Sequence, residues 1–161
     1  MSPKLTALQF LEYIRAFNKK DYPVQHAFYR DDVELMLPDP TVDSLKGKPA
    51  IIQHYNKIHE DAEEAVIPIT ILSDRNKIFM QMEAYFKFKK EVQRSVMDYH
   101  VHPGDVLKLT CCAIYDLDEE GKMKRIEGHL FNHELLGDVD MKEGIKESES
   151  RADEDLRLFN Y

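Results

Sequence analysis

The hydrophobic residues of this chain change period once, and that change limits the fold more than any other feature. Over residues 4–20, Leu5, Leu8, Leu11, Ile14 and Phe17 recur at nearly helical spacing, the mark of an amphipathic helix with one apolar stripe. Over residues 78–88, Ile78, Met80, Met82, Ala84, Phe86 and Phe88 run against Lys77, Gln81, Glu83 and Lys87, as in a strand with one buried face. A chain that is helical first and stranded afterwards packs its helices on one face of a sheet, which is an α+β architecture.

Punctuation fills in the layout. Asp21 and Pro23 stop the first helix and start a short second one over 22–29. Val33–Leu37 reads as a short strand ended by Pro38-Asp39-Pro40. Gly47, Lys48 and Pro49 open a third helix over 50–62, with Ile51, Ile52, Tyr55 and Ile58 on its buried side. Strands are expected over 66–72, 78–88, 106–117 and 122–135, with a turn at 102–105 and a hairpin loop at 118–121. The expected domain is residues 1–136, three N-terminal helices on a curved antiparallel sheet. Residues 137–161 form an acidic tail, helical or loose, whose apolar residues are Leu156, Leu158, Phe159 and Tyr161.

Charge and composition exclude several classes. The chain has 161 residues with 30 acidic and 22 basic, a net −8. Its basic clusters at 87–90 and 122–125 are short, so no nucleic-acid partner is expected. No apolar run approaches the ~20 residues of a membrane span, and no membrane partner is expected. The N-terminus lacks the apolar segment of a secretory signal, and Cys111 and Cys112 are adjacent. Reduced thiols and a cytoplasmic location follow as expectations. With six glycines and no Gly-rich phosphate loop, dinucleotide fingerprint or nucleophile elbow, no cofactor is expected.

Four phrases, in this order and spacing, carry a family resemblance: FLEYIRAFNKKD, FYRDDVELMLPDP, GKPAIIQHYNKI and DLDEEGKMKRIEGHLF. Over about residues 4–136 the chain resembles the SnoaL-like and ketosteroid-isomerase-like superfamily, whose fold is shared with nuclear transport factor two. It is most similar in feel to fungal members acting on polyketide or terpenoid intermediates. The resemblance implies a conical pocket between sheet and helices, cofactor-free chemistry on a hydrophobic ligand, and homodimerisation through the sheet. Against ketosteroid isomerase, it puts Tyr13 at the oxyanion-hole tyrosine, Asp39 at the general base and Tyr55 at a supporting tyrosine. The protonated oxyanion-hole aspartate of that enzyme falls at or beside Cys112, where no carboxylate stands. The Asp–Arg–Asp set of the epoxide-hydrolase branch cannot be placed.

The residues themselves leave choices open. Asp39 between two prolines is either a pocket base or a turn residue accepting backbone amides. Tyr13 either donates to a developing oxyanion or packs as core. Arg125, Glu127, His129, Phe131 and His133 share one face of the last strand. Either that face lines the pocket, making Glu127 and His129 acid–base partners, or Ile126, Gly128 and Leu130 do. Phe17, Tyr55, Met82, Phe86, Phe88, Cys112 and Phe131 are the expected substrate-binding wall. His54 and His59 are expected at the surface or rim. His100-x-His102 has the spacing of a metal pair, but the further Glu of a cupin-type set is missing from the residues that follow, and no metal is expected. The reading is an isomerase or cyclase of secondary metabolism acting on a polyketide, terpenoid or alkaloid intermediate, with Asp39 or Glu127 as base and Tyr13 and His129 as donors. The alternatives are a non-catalytic small-molecule binder and a dimeric interaction domain.

Overall fold

The computed structural model describes residues 2–159; Tyr161 of the tail lies outside the described residues. The first helix, α1 (Ala7–Asn18), starts at a capping box: Gln9 N–H donates to the Thr6 hydroxyl, and Thr6 N–H donates to the Gln9 side chain. Its buried face is Phe10, Leu11, Tyr13, Ile14 and Phe17, while Leu8 is 64% exposed. A strict three-residue stripe drifts around a 3.6-residue helix, so Leu8 rotates to solvent and Phe10 and Tyr13 take its place. Asn18 fastens the helix end to the sheet, pairing its side-chain amide with both backbone groups of Val66 at 2.8 Å.

The short helix α2 (Tyr22–His26) leads into β1 (Tyr29–Met36), and the two-residue strand β2 (Leu45–Lys46) pairs with β1. Helix α3 (Lys48–Asp61) begins at Gly47, whose φ of 87° suits glycine, and at Pro49 in its first turn. It passes directly into β3 (Ala62–Asp74), followed by β4 (Lys77–Phe88), β5 (Asp105–Leu117) and β6 (Met123–Asp138). The sheet order is β2-β1-β6-β5-β4-β3. Every neighbouring pair is antiparallel except β1 and β6, which run parallel. Pro68 sits in β3, an edge strand, where a missing N–H costs no ladder bond. Register shifts between β5 and β6 at three points bend the sheet around the helices.

The main core fills the space between the inner sheet face and α1–α3. A second cluster lies on the opposite face: Ile67, Ile69, Tyr85 and Val106 are covered by Ile145 and Ala152. Residues beyond β6 supply that cover, through helix α4 (Met141–Ser150), which starts at the Asp140 cap. The strands β3–β5 are thus buried on both faces, and Phe159 packs at the edge of the outer cluster. Among the described residues, no helix is long and apolar enough to cross a membrane.

Candidate active site

The bent sheet and the helices enclose a cavity of about 610 Å³. Ile14 and Phe17 of α1, Leu35 of β1, and Met80, Met82, Phe86 and Phe88 of β4 make its walls apolar. Leu109, Cys111 and Ala113 of β5 and Ile126 and Gly128 of β6 complete the sheet side. The volume suits a drug-sized hydrophobic ligand.

Two carboxylates of the lining, Asp61 and Glu64, were missed by sequence reasoning; Asp61 is ion-paired with Lys57 and Lys90, whereas Glu64 faces the apolar walls. Glu64 follows α3 on β3, with its side chain only 8% exposed. Burial pushes its pKa above the usual carboxylate value, and a hydrogen bond and charge interaction with His59 hold back part of that rise. Glu64 Oε1 lies 3.1 Å from His59 Nε2, and the Tyr22 hydroxyl lies 2.6 Å from His59 Nδ1. A carboxylate only accepts, so Nε2 carries the proton given to Glu64, and Nδ1 on the far side of the ring is held by the Tyr22 hydroxyl. The imidazole is fixed further by an edge contact with Phe17 and by the Tyr22 and Tyr55 rings at 6.0 and 5.8 Å. His59 is therefore a buried relay at 7% exposure, not the surface or rim residue expected from the sequence. The signal that could have found the group is the helix-to-strand junction HEDAEE, which puts a histidine and a carboxylate five residues apart across a sharp change of direction.

Tyr13, Tyr55 and Tyr115 also line the cavity, and burial raises the pKa of all three, keeping them protonated donors. The charge of Glu64 contributes to the rise at Tyr55. The Tyr13 hydroxyl is 2.8 Å from the Tyr29 hydroxyl, which in turn accepts from Gln25 Nε2 at 3.1 Å. His54 lines the cavity too; burial lowers its pKa, against an opposing pull from Asp39.

Asp39 lies at the cavity mouth with both carboxylate oxygens engaged. Oδ1 accepts from the Thr41 N–H at 2.9 Å and the Thr41 hydroxyl at 2.6 Å, and Oδ2 accepts from Met97 N–H at 2.8 Å. It ties the Pro38–Thr41 turn to the segment around Met97, which has a positive φ of 58°.

The last strand presents its other face to the cavity. Ile126 and Gly128 point inward, so Glu127, His129 and Phe131 lie outside, with Phe131 68% exposed. Glu127 sits between Arg125 at 3.8 Å and His129 at 3.7 Å in a half-exposed cluster. The expectation that these three residues line the pocket is corrected by the strand's alternation: once Ile126 is core, its neighbours must face out. The same alternation corrects Cys112. Cys111 faces the cavity, its thiol pushed up to about 12 by burial, and Cys112 packs toward the other face. Phe17, Tyr55, Met82, Phe86 and Phe88 all line the cavity with Tyr13 and Asp39.

Comparison with known proteins agrees with this architecture. A candidate polyketide cyclase from Pseudomonas putida KT2440 superposes with a TM-score of 0.64 at 18% identity, covering 80% of this chain and 92% of that one. A second, from Xanthomonas campestris pv. campestris, gives 0.63 at 16% identity over 88% and 96%. The epoxide hydrolase/cyclase-like enzyme SalBIII, of pyran ring formation in polyether salinomycin, gives 0.62 at 14% identity over 80% and 95%. At these identities the likeness is one of fold. No curated protein sequence matches. The model of the SnoaL-like domain matches residues 10–126, and the chain belongs to that family.

Proposed function

We propose that this protein is a cofactor-independent isomerase or cyclase acting on a hydrophobic polyketide, terpenoid or alkaloid intermediate, with Glu64 as its general base. The observation that carries the reading is Glu64, a carboxylate buried in the wall of a largely apolar, ligand-sized cavity and backed by an ordered imidazole, while Asp39 and Asp61 of the same lining are taken up by three donors and by Lys57 and Lys90. A carboxylate desolvated in this way is a stronger base than one in water, and its pKa moves toward the working pH. Glu64 removes a proton next to a carbonyl. Tyr55, which feels the Glu64 charge, donates to the oxygen that becomes negative, and Tyr13 supports it when Tyr29 supplies the proton of their shared hydrogen bond. Returning the proton to a different carbon gives an isomerisation; attack of the carbanion on a second carbonyl gives a ring. Asp39 serves the mouth as a strut, because its oxygens are occupied by three donors.

The setting is cytoplasmic secondary metabolism. The chain pairs with a second copy through the part of the outer sheet face around Phe131 and His129, which α4 leaves open. Sedimentation at tens of micromolar tests the pairing, and a monomer rejects it.

The catalytic reading is tested by incubating the protein in deuterium oxide with a panel of polyketide-like and terpenoid ketones and following each by NMR. Site-specific deuterium uptake that disappears in Glu64→Gln is the expected result. Ligands that raise the melting temperature yet never exchange a proton would make the protein a binder.

A further inference from the structure

At the edge of the cavity, one cluster of ligating side chains is built by backbone pairing. After β4 the chain runs through Val92, and before β5 it returns through Val101. The two valines form an antiparallel bridge with both hydrogen bonds made, Val92 N–H to Val101 O at 3.1 Å and Val101 N–H to Val92 O at 3.0 Å. Side chains alternate across an extended segment, and directly opposed residues share a face. Val101 is fully buried and Val92 packs against the core. Their neighbours Glu91, His100 and His102 are therefore all turned to the opposite, solvent side.

There the three converge. One ligand atom from each lies within 4.8 Å of the others. Glu91 Oε1 is 2.9 Å from His100 Nε2, and the two imidazoles sit 4.7 Å apart between centroids. An ion with ~2.0–2.1 Å bonds in a tetrahedral site holds its ligand atoms about 3.4 Å apart, within reach of small rotations of exposed side chains. Asp105 supplies the outer support: its Oδ2 accepts from the His102 backbone N–H at 2.8 Å and lies 3.7 Å from His102 Nδ1. Asp105 thus holds the backbone of His102 in place behind the cluster.

We propose that Glu91, His100 and His102 form a binding site for a divalent first-row transition cation, with zinc as its representative. Two imidazoles and one carboxylate suit zinc, nickel and copper, and leave coordination positions free. Glu91 also lines the mouth of the cavity, so the bound ion closes the Glu91 and His100–His102 segments together beside the entrance. The sequence showed only the His-x-His pair; the carboxylate comes from the other side of the bridge.

The test is isothermal titration of zinc chloride into the untagged full chain in a non-chelating buffer. One equivalent is expected to bind, with affinity reduced at least tenfold in His102→Ala and in Glu91→Gln and lost in the His100→Ala/His102→Ala double variant. His129→Ala, at the other exposed His–Glu contact, is expected to bind as the wild type does. The substituted residues are exposed, and circular dichroism checks that each variant is folded. Absence of binding to the wild type, or a double variant that binds undiminished, overturns the proposal.

Discussion

Gly128 backs directly onto Pro38. A Cβ at Gly128 would lie 2.6 Å from Pro38 Cδ, 2.8 Å from its backbone nitrogen and 3.1 Å from the Met36 carbonyl oxygen. The parallel pairing of β1 and β6 brings the two strands this close at the cavity wall. Backbone atoms and a proline ring cannot move aside as a flexible side chain can. Gly128→Ala is therefore expected to cost about 1–3 kcal/mol of stability and to displace the turn that carries Asp39. Urea unfolding measures the first effect, and loss of ketone binding by thermal shift measures the second. A variant as stable as the wild type would show that the two strands can separate freely.

Replacing Glu64 by Gln is expected to reduce proton exchange about 10²–10⁴-fold while the fold persists. Stability gives a second readout. The folded-state pKa of Glu64 is raised by burial, so the native state holds its proton to higher pH than the unfolded chain does. Its contribution is complete below the unfolded value of about 4.3 and is lost as pH rises through the folded value. Glutamine carries no such slope. The stability difference should move in the variant's favour as pH rises above about 4, as measured by urea unfolding at each pH. A pH-independent difference would mean that Glu64 ionises as freely as in water.

How much of this was legible in the sequence depends on which residue is asked about. The helical and alternating periods locate α1, α3 and β3–β6, because burial on one face writes itself into spacing. Phe17, Met82, Phe86 and Phe88 followed from those periods. The facing of β6 did not: Glu127, His129 and Phe131 on one side and Ile126, Gly128 and Leu130 on the other are equally good stripes, and a slip of one residue exchanges them. Packing against Pro38 and Leu35 decides it. Cys111 and Cys112, in the middle of β5, pose the same ambiguity. Glu64 was hidden for another reason. In HEDAEE it reads as one of a run of surface charges, and only the abrupt passage from α3 to β3 turns its side chain into the cavity. Helix α4 reads in the sequence as part of an acidic tail because Ile145 is the sole aliphatic residue between Met141 and Ala152; the sheet's outer apolar patch supplies the rest of that interface.

The His59 relay makes a prediction about Glu64 that needs no substrate. The hydrogen bond and charge of His59 pull the Glu64 pKa down, against the larger effect of burial. His59→Leu removes that pull and leaves the desolvation in place. An NMR titration of the Glu64 side-chain carboxyl should therefore show a midpoint above the ordinary carboxylate value in the wild type, and a higher one in His59→Leu. The acidic limb of any pH–rate profile should shift the same way. A midpoint that falls, or stays put, would show that the 3.1 Å contact does not hold the charge.

The docking of α4 rests on a second buried carboxylate, and its pH dependence has the opposite sign. Glu83, 2% exposed on the outer face of β4, meets Arg151 Nη2 at 2.8 Å, Lys108 Nζ at 3.0 Å and the Ser148 hydroxyl at 3.2 Å. Burial alone would raise its pKa, but the hydrogen bonds from Arg151 and Lys108 outweigh that and hold it below the usual value. A depressed carboxyl contributes stability that is present above its unfolded pKa and lost as pH falls through the folded one. Removing one partner of a buried pair costs about 3–5 kcal/mol. Arg151 is 45% exposed and Lys108 remains in place, so Arg151→Ala should cost less, about 1–2 kcal/mol near pH 7. The loss should shrink as pH falls from 7 to 3, because Glu83 takes up its proton in the variant before it does in the wild type. Tyr85→Phe, which deletes the hydrogen bonds to Ser148 and the Gly144 carbonyl, should cost about 1 kcal/mol at both pH values. Urea unfolding at the two pH values separates the contributions, and an Arg151→Ala penalty that is the same at both would place the attachment of α4 in its apolar contacts alone.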